Sequence, residues 1–489
     1  MSEKRVLAFD FGASGGRAML CSFDGEKITL KELHRFENNP VMVGKTFYWD
    51  ILRLLHEVKQ GIIKAKNDGG FDSIGVDTWG VDFGLVDKDG RLLDNPVHYR
   101  DRRTDGLAEQ SFRYISREQF YKITGIQFMD INTVFQLMAV KRDRPDLLKR
   151  ADKLLLMPDL FNFLLTGEVH AEYSIASTTQ MMNATNGIWS DTVLKALGIP
   201  RNILPDIIPS GSRAGMLSDD ICEELDVPKV PVFAVCGHDT QCAAAAVPTE
   251  EDDFIFISCG TWSLFGTELD EPVLTEKSAE LSVSNEGGYG GKTTLLKNII
   301  GLWLIQESRR QWIREGSEYS YADLERLALE AEPMVSFIDP DAPEFTPQGN
   351  IPERVREFCR RTNQPVPETV GEVMRCIYQS LALKYRQAFD EIKACTGREY
   401  RSIHLIGGGT KDGLLCRMTA SACDCTVYAG PAEATVFGNA AIQFISHGEI
   451  SDIKSARKII AASNEIKSHS PENTEEWQVA FEVFKNIVK

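Results

Sequence analysis

No CxxC pair occurs among the eleven cysteines, which excludes a zinc ribbon and a thioredoxin-type dithiol. The cysteines are scattered and odd in number, so reduced core thiols of an intracellular protein are expected. The chain also lacks an excess of cations: 54 Lys+Arg stand against 71 Asp+Glu, a formal net charge of −17. A nucleic-acid partner is therefore not expected. A small anion is still allowed, because backbone N–H groups bind phosphate without net positive charge. No apolar run approaches the roughly 18 residues of a membrane span, and the start "MSEKRVLAFDFG" has no apolar h-region. These absences predict a cytoplasmic protein that does not act at a membrane.

What is present is enough chain for more than one core: 489 residues. The short acidic run "VPTEEDD" (247–253) reads as a linker, giving expected domains of 1–247 and 248–489. Val6–Phe9 and Arg17–Ser22 read as strands around a Gly-rich turn. Ile51, Leu54, Leu55, Val58, Ile62 and Ile63 repeat at helical spacing over about 50–66. The stretch 115–230 reads as mostly helical. At 254 the opening pattern returns: "FIFISCGTWSLFGTEL" repeats strand, Gly turn, strand, with Asp10-Phe11-Gly12 falling on Ser258-Cys259-Gly260. That match predicts a duplicated core. A Gly-rich hairpin ("NEGGYGGKTTLL"), a helix ("NIIGLWLIQESRRQWI"), a long helix over 367–395 and a strand–turn–helix ("SIHLIGGGTKDGLLCRMTASAC") follow. The tail beyond 450 ends in a helical pattern carrying Trp477, Phe481 and Phe484, expected to pack on the body.

Several stretches carry chemistry. In "LAFDFGASGGRAML", Asp10 ends a strand and Gly12, Gly15 and Gly16 shape the turn after it. Such a turn lets amides crowd a phosphate, with the Asp beside it for a hydrated Mg²⁺; a plain β-hairpin stands as an equal reading. Gly12–Gly16 also fits G-x-S-x-G, but that motif needs a helix after the turn and "RAMLCSF" reads as a strand. "GGYGGKT" leaves three residues rather than four between Gly287 and Gly291, so it is not a Walker A loop. In "LIGGGTKDG", Gly407–Gly409 lie between strand and helix, where a base or ribose could approach the backbone, or where a tight turn is simply needed. Asn298, Leu302 and Gln306 stand at i, i+4, i+8 and are expected on one helix face, the amides roughly 12 Å apart. In "VDTWGVDFG", Trp79 suits a sugar face and Gly80 would admit a hydroxyl to the backbone, although a core Trp is the commoner case. In "VCGHDTQCAAAA", Asp239 falls where a helix begins. As a cap it needs no chemistry, but that leaves His238 unexplained. A carboxylate there could accept a hydroxyl proton while the oxygen attacks phosphorus.

"FDFGASGGR", "GVDTWGVD", "GHDTQCAAA", "SCGTWSLFG", "LKNIIGLWLIQ", "LIGGGTKDGLL" and "AGPAEATVFGN" occur in this order. With them the chain resembles the FGGY carbohydrate kinases over about residues 5–450. The resemblance implies an α/β fold of two ribonuclease-H-like (actin-like ATPase) domains flanking a catalytic cleft. It implies Asp239 as proton acceptor from the sugar hydroxyl. His238, Asp239, Thr240, Gly80 and Asn298 are implied as sugar contacts. Ala13, Ser14, Gly15, Gly16 and Arg17 would form the first phosphate hairpin. Thr261, Gln306 and Gly408 are implied on the ATP side, with ATP as co-substrate and Mg²⁺ near Asp10. Among the family's sugars, "TWGVDFGLVD" and "GHDTQCAAAA" point to rhamnulose, phosphorylated at the 1-hydroxyl. A kinase for fuculose or xylulose, or an actin-like sugar sensor without transfer, are the alternatives, and a sensor has no need of Asp239. The family's Lys–Trp signature is not evident in "DINTVFQLMAVKRDRP". Some members pair cysteines in the helix after the triple-glycine turn; here Thr419 stands opposite Cys423, so no disulfide is expected there.

Overall fold

The structure, a computed structural model, describes residues 3–488. It divides into two compact units. The first holds the chain to Glu250 with Glu268–Leu295 and Ala434–Ser463; the second holds Glu251–Thr267, Leu296–Glu433 and the chain from Asn464. The units are thus not the two continuous stretches 1–247 and 248–489. The chain does change unit near the acidic run, but two later segments pack with the first unit.

In the first unit β1 (Lys4–Phe11) is buried from Val6 onward, as a central strand covered on both faces must be. β2 (Gly15–Phe23) returns antiparallel to it, and β3 (Ile28–Glu37) follows. With β4 (Ser73–Thr78), β5 (Ser212–Met216) and β6 (Pro231–Ala234) the sheet order is β5-β6-β4-β1-β2-β3. β4 is parallel to β1, β6 is parallel to β4, and β5 is antiparallel to β6. The helix Ile51–Asn67 starts at Asp50, whose carboxylate accepts from Arg53 N at 3.2 Å, and it buries Leu54, Val58, Ile62 and Ala65. The helix Ala434–Ser446 packs on β1 and β4. Its Gln443 accepts from Ser73 Oγ at 2.7 Å and donates to Leu7 O at 3.3 Å.

That helix meets the helix Asp239–Ala245 at Gly438. A Cβ there would lie 1.8 Å from the backbone oxygen of Cys242, and no rotamer relieves a clash with backbone. Gly438→Ala is expected to cost about 3 kcal/mol, to be measured by urea unfolding.

The second unit repeats the plan. β7 (Ile255–Cys259) and β8 (Trp262–Leu269) form an antiparallel hairpin. With β9 (Thr293–Ile300), β10 (Ser402–Ile406), β11 (Thr426–Ala429) and β12 (Lys467–His469) the sheet contains the order β9-β8-β7-β10-β11-β12, and the strand Ser284–Gly287 is a seventh member at the β9 edge. β10 is parallel to β7 and β11 to β10, while β12 is antiparallel to β11. These six strands match β3-β2-β1-β4-β6-β5, so the duplicated core expected from the glycine turns is present. The long helix Val370–Thr396 begins with a capping box from Thr369 and Glu372 and ends at Gly397 in the left-handed conformation. Trp477, Phe481 and Phe484 of the C-terminal helix are buried.

One expectation fails. Residues 293–300 form a strand, and the helix starts only at Trp303. Asn298 and Gln306 therefore do not share a helix face. The β-branched run Thr293, Thr294, Ile299, Ile300 favours a strand, and Gly301 ends it. A Cβ at Gly301 would lie 2.4 Å from Ser263 Oγ and 2.9 Å from Gly260 O, so only glycine lets the chain turn against the β7–β8 hairpin.

All eleven cysteines are free. No helix among the described residues is long and apolar enough to cross a membrane.

Candidate active site

In the first unit the site grows from the ends of β1, β4 and β6. Trp79 N donates to Phe11 O at 3.1 Å and Thr78 N to Gly237 O at 2.9 Å, which brings the strand ends together. Past Gly80 the chain turns through Val81 at φ +66°, a costly conformation for a β-branched residue. Thr133 Oγ1 donates to Val81 O at 2.6 Å, and Val81 N donates to Thr178 Oγ1 at 3.3 Å. Asp82 then collects four N–H groups: Trp49 Nε1 at 2.6 Å, Trp79 Nε1 at 3.0 Å, Tyr99 N at 3.2 Å and Gln136 Nε2 at 2.8 Å. Burial pushes its carboxyl up to about 6 against those donors.

Gly80 lies against His238: a Cβ there would be 3.4 Å from Nε2 of the imidazole. His238 is the N-cap of the helix Asp239–Ala245 and makes no side-chain cap bond. Asp239 is not the cap. Its Oδ1 accepts from the adjacent Thr240 N at 2.6 Å and Thr240 Oγ1 at 3.3 Å, and 30% of its side chain stays exposed. Burial pushes its carboxyl up to about 6; the His238 ring opposes the rise and the Asp10 carboxylate adds to it. His238 Nε2 stands 3.5 Å from Asp239 Oδ1, and Nδ1 stands 2.9 Å from Glu286 Oε2. The loop before it is fixed by Glu172, which accepts from Gly237 N at 2.8 Å and from Ser174 Oγ at 2.6 Å.

Asp10 pairs with Arg17 across the hairpin at 2.5 Å and is the register neighbour of Asp77 on β4. Asp77 is fully buried; Asn439 Nδ2 donates to its Oδ2 at 2.7 Å, while Oδ1 has no partner among the described residues. Burial, and then the Asp10 carboxylate, raise the Asp77 carboxyl well above the usual range. At the hairpin tip Gly12 N donates to Gly15 O at 2.9 Å and Ser14 is exposed. The amides of Ala13 and Ser14 donate to no group among the described residues. Gly16 is buried in β2, where a Cβ would lie 2.3 Å from the Phe36 ring. Its small size thus serves packing, and only the tip before it is open.

In the second unit Thr261 occupies the β7–β8 turn. Its carbonyl accepts from Gly301 N at 3.1 Å and Trp303 N at 3.2 Å, which ties the turn to the start of the helix carrying Gln306. A Cβ at Gly409 would lie 2.3 Å from Cys259 Sγ, so that glycine serves packing beneath the turn. Gly408 is exposed and its nearest protein neighbour would be 3.9 Å away. Its missing side chain answers no protein contact, which suits a flat ligand.

Two family models cover this frame: the N-terminal domain of the FGGY family of carbohydrate kinases matches residues 5–246, and the C-terminal domain matches 255–447. The chain belongs to the FGGY family of carbohydrate kinases. As an FGGY kinase it is 41% identical to a rhamnulokinase of Bacteroides thetaiotaomicron, covering 100% of both chains. It is 40% identical to a rhamnulokinase of Oceanobacillus iheyensis, covering 95% of this chain and 98% of the relative. The fold matches ligand-bound xylulose kinase from Lactobacillus acidophilus with a TM-score of 0.83 at 14% identity, covering 99% of this chain and 97% of that one. It matches Plasmodium falciparum glycerol kinase with ADP at a TM-score of 0.80 and 14% identity, with the same coverage. The protein is a sugar kinase, with ATP as co-substrate. The motifs of the FGGY kinase assign no role to Glu172, Glu286 or Asn439, because each acts on a residue distant in sequence.

Proposed function

We propose that this FGGY kinase phosphorylates L-rhamnulose at the 1-hydroxyl, giving L-rhamnulose 1-phosphate and ADP in the cytoplasm. The full-length likeness to rhamnulokinases supports the sugar. One observation carries the chemistry: Asp239 heads its helix without capping it, and its partly exposed carboxyl has a raised affinity for protons. In the transfer the Asp239 carboxylate accepts the proton of the sugar O1 hydroxyl. The O1–Pγ bond forms while the bond from Pγ to the ADP oxygen breaks, and ADP leaves with the electron pair. His238, Thr240, Gly80 and Asn298 are the proposed sugar contacts. Asn298 serves from the end of β9 rather than from a helix. The amides of Ala13 and Ser14, with Gly15, Gly16 and Arg17 completing the hairpin, take one set of phosphate oxygens. Thr261 takes another, and Gln306 and Gly408 face the nucleoside.

The residues fit an Mg²⁺ ion that arrives with ATP. No group of three or more His, Cys, Asp or Glu is placed to hold a metal among the described residues. An ion carried by ATP phosphates and water, with Asp10 beside it, needs no such group, and the unpartnered Asp77 Oδ1 adds an acceptor next to Asp10. When bound, Mg²⁺ neutralises charge on the phosphate oxygens.

An ADP-release assay with a panel of ketoses at fixed Mg–ATP tests the sugar. Highest kcat/KM for L-rhamnulose is expected. Preference for fuculose or xylulose would reassign the substrate, and no turnover with any sugar would favour a sensor. Because the folded Asp239 carboxyl sits near 6, kcat is expected to fall as pH drops through about 6, where protonation removes the acceptor. The pH profile of kcat between pH 5 and 8 checks this.

A further inference from the structure

We infer that Glu286 is a positioning residue that holds His238 as an imidazolium, with Nδ1–H bound to Glu286 and Nε2–H directed toward Asp239 beside Gly80. The inference rests on the reading of Asp239 as the proton acceptor.

The geometry leaves the ring little choice. Glu286 Oε2 stands 2.9 Å from Nδ1, and a carboxylate only accepts, so Nδ1 carries a hydrogen. Nε2 faces a second acceptor, Asp239 Oδ1, at 3.5 Å. A neutral ring would set its lone pair against the lone pairs of Asp239. A cation presents N–H at both ends. The charged groups acting on the ring are Glu286 from the strand Ser284–Gly287, Asp239 from its own helix and Glu172 from the strand Ala171–Glu172, all carboxylates. Burial opposes the charge, yet Glu286, in Coulomb attraction and hydrogen bond, overcomes it and the ring rises to about 8. Glu286 is itself fixed. Gln241 Nε2 donates to its Oε2 at 3.0 Å, and Gln241 Oε1 accepts from Thr294 Oγ1 at 2.6 Å.

Two consequences follow for the reaction. A cationic His238 has no free lone pair, so it does not compete with Asp239 for the sugar proton. It also favours the ionised form of Asp239, which keeps the base available at neutral pH. At 3.5 Å from Asp239 Oδ1 the Nε2–H makes no close hydrogen bond there, so a bound sugar oxygen can share it, and loss of Glu286 should be felt by the sugar and not by ATP.

The test uses the full chain with ¹³C,¹⁵N-labelled histidine and two variants, Glu286→Gln and Glu286→Asp. In the unaltered protein the His238 ring is expected to titrate near 8, against roughly 6.5 for an unperturbed histidine. In Glu286→Gln it is expected to fall by a unit or more. The kcat/KM profile for the ketose should narrow from both sides: the acid limb moves up as Asp239 loses its cationic neighbour, and the alkaline limb moves down as His238 deprotonates earlier. KM for the sugar should rise about tenfold with KM for ATP unchanged, and Glu286→Asp should restore most of the width. A His238 titration at or below 6.5 in the unaltered protein overturns the inference, as does a Glu286→Gln profile that superimposes on the original. If Glu286→Gln does not fold, the titration in the unaltered chain decides alone. That titration needs no turnover, so failure of the sugar assignment leaves a different signature.

Discussion

Asp239→Asn is expected to lower kcat by about 10² to 10⁴, the usual cost of losing a general base, and to leave KM for sugar within a few-fold. Asparagine keeps the shape, and its amide oxygen can still accept from Thr240 N, which now meets Asp239 Oδ1 at 2.6 Å. It has no lone pair basic enough to take the O1 proton. The competing account makes Asp239 a helix cap. Asn caps a helix about as well as Asp, so on that account Asp239→Asn would lose little stability and nothing in kcat. The structure already separates the two, since His238 occupies the N-cap position and Asp239 follows it. Steady-state kinetics and thermal unfolding of the one variant, measured together, distinguish a chemical loss from a structural one.

Asp82→Ala is the largest expected loss of stability, about 3 to 5 kcal/mol, at roughly 1 to 3 per stranded donor with partial relaxation. The carboxylate is buried and receives Trp49, Trp79, Tyr99 N and Gln136. The two indoles it joins lie 4.2 Å apart, centroid to centroid. Truncation leaves buried N–H groups without acceptors and a space where the carboxylate stood. Because Trp79 immediately precedes Gly80, which lies against His238, sugar KM should rise in any Asp82→Ala protein that remains folded. Chemical denaturation measures the first effect. An unchanged midpoint would mean that these donors find other acceptors.

The two expected losses differ in how far the sequence foretells them. Asp239 announced itself because a carboxylate after His238 broke a run otherwise made for packing. The repeat of strand, Gly turn and strand at 6–22 and 254–269 was equally plain, and six strands of each sheet bear it out in the same order. β5 was not visible: Ser212–Met216 carries no apolar alternation, and it pairs with β6 across a register shift between Arg213 and Gly215. Asn298 was misplaced because "NIIGLWLIQ" satisfies helical spacing, while the break at Gly301 is imposed by Ser263 and Gly260 from another strand. Spacing within a segment cannot register a contact from outside it. The same limit hid Glu286, Glu172 and Asn439, which act on His238, Gly237 and Asp77 across 48, 65 and 362 positions. The missing side chains of Gly16 and Gly409, both in turns read as ligand-binding, are required by the Phe36 ring and the Cys259 thiol. Composition alone does not tell a glycine that admits a ligand from one that admits a neighbour.

Rapid-quench measurement of phosphate transfer from Mg–ATP to L-rhamnulose, across pH 5 to 8, in the unaltered enzyme and in Asp239→Asn, tests the central claim most directly. The account predicts a rate that climbs with pH through about 6 in the former, and in the variant a rate at least about 10²-fold lower with no such climb. A variant that transfers phosphate at the original rate, or that keeps the same climb with pH, would contradict it.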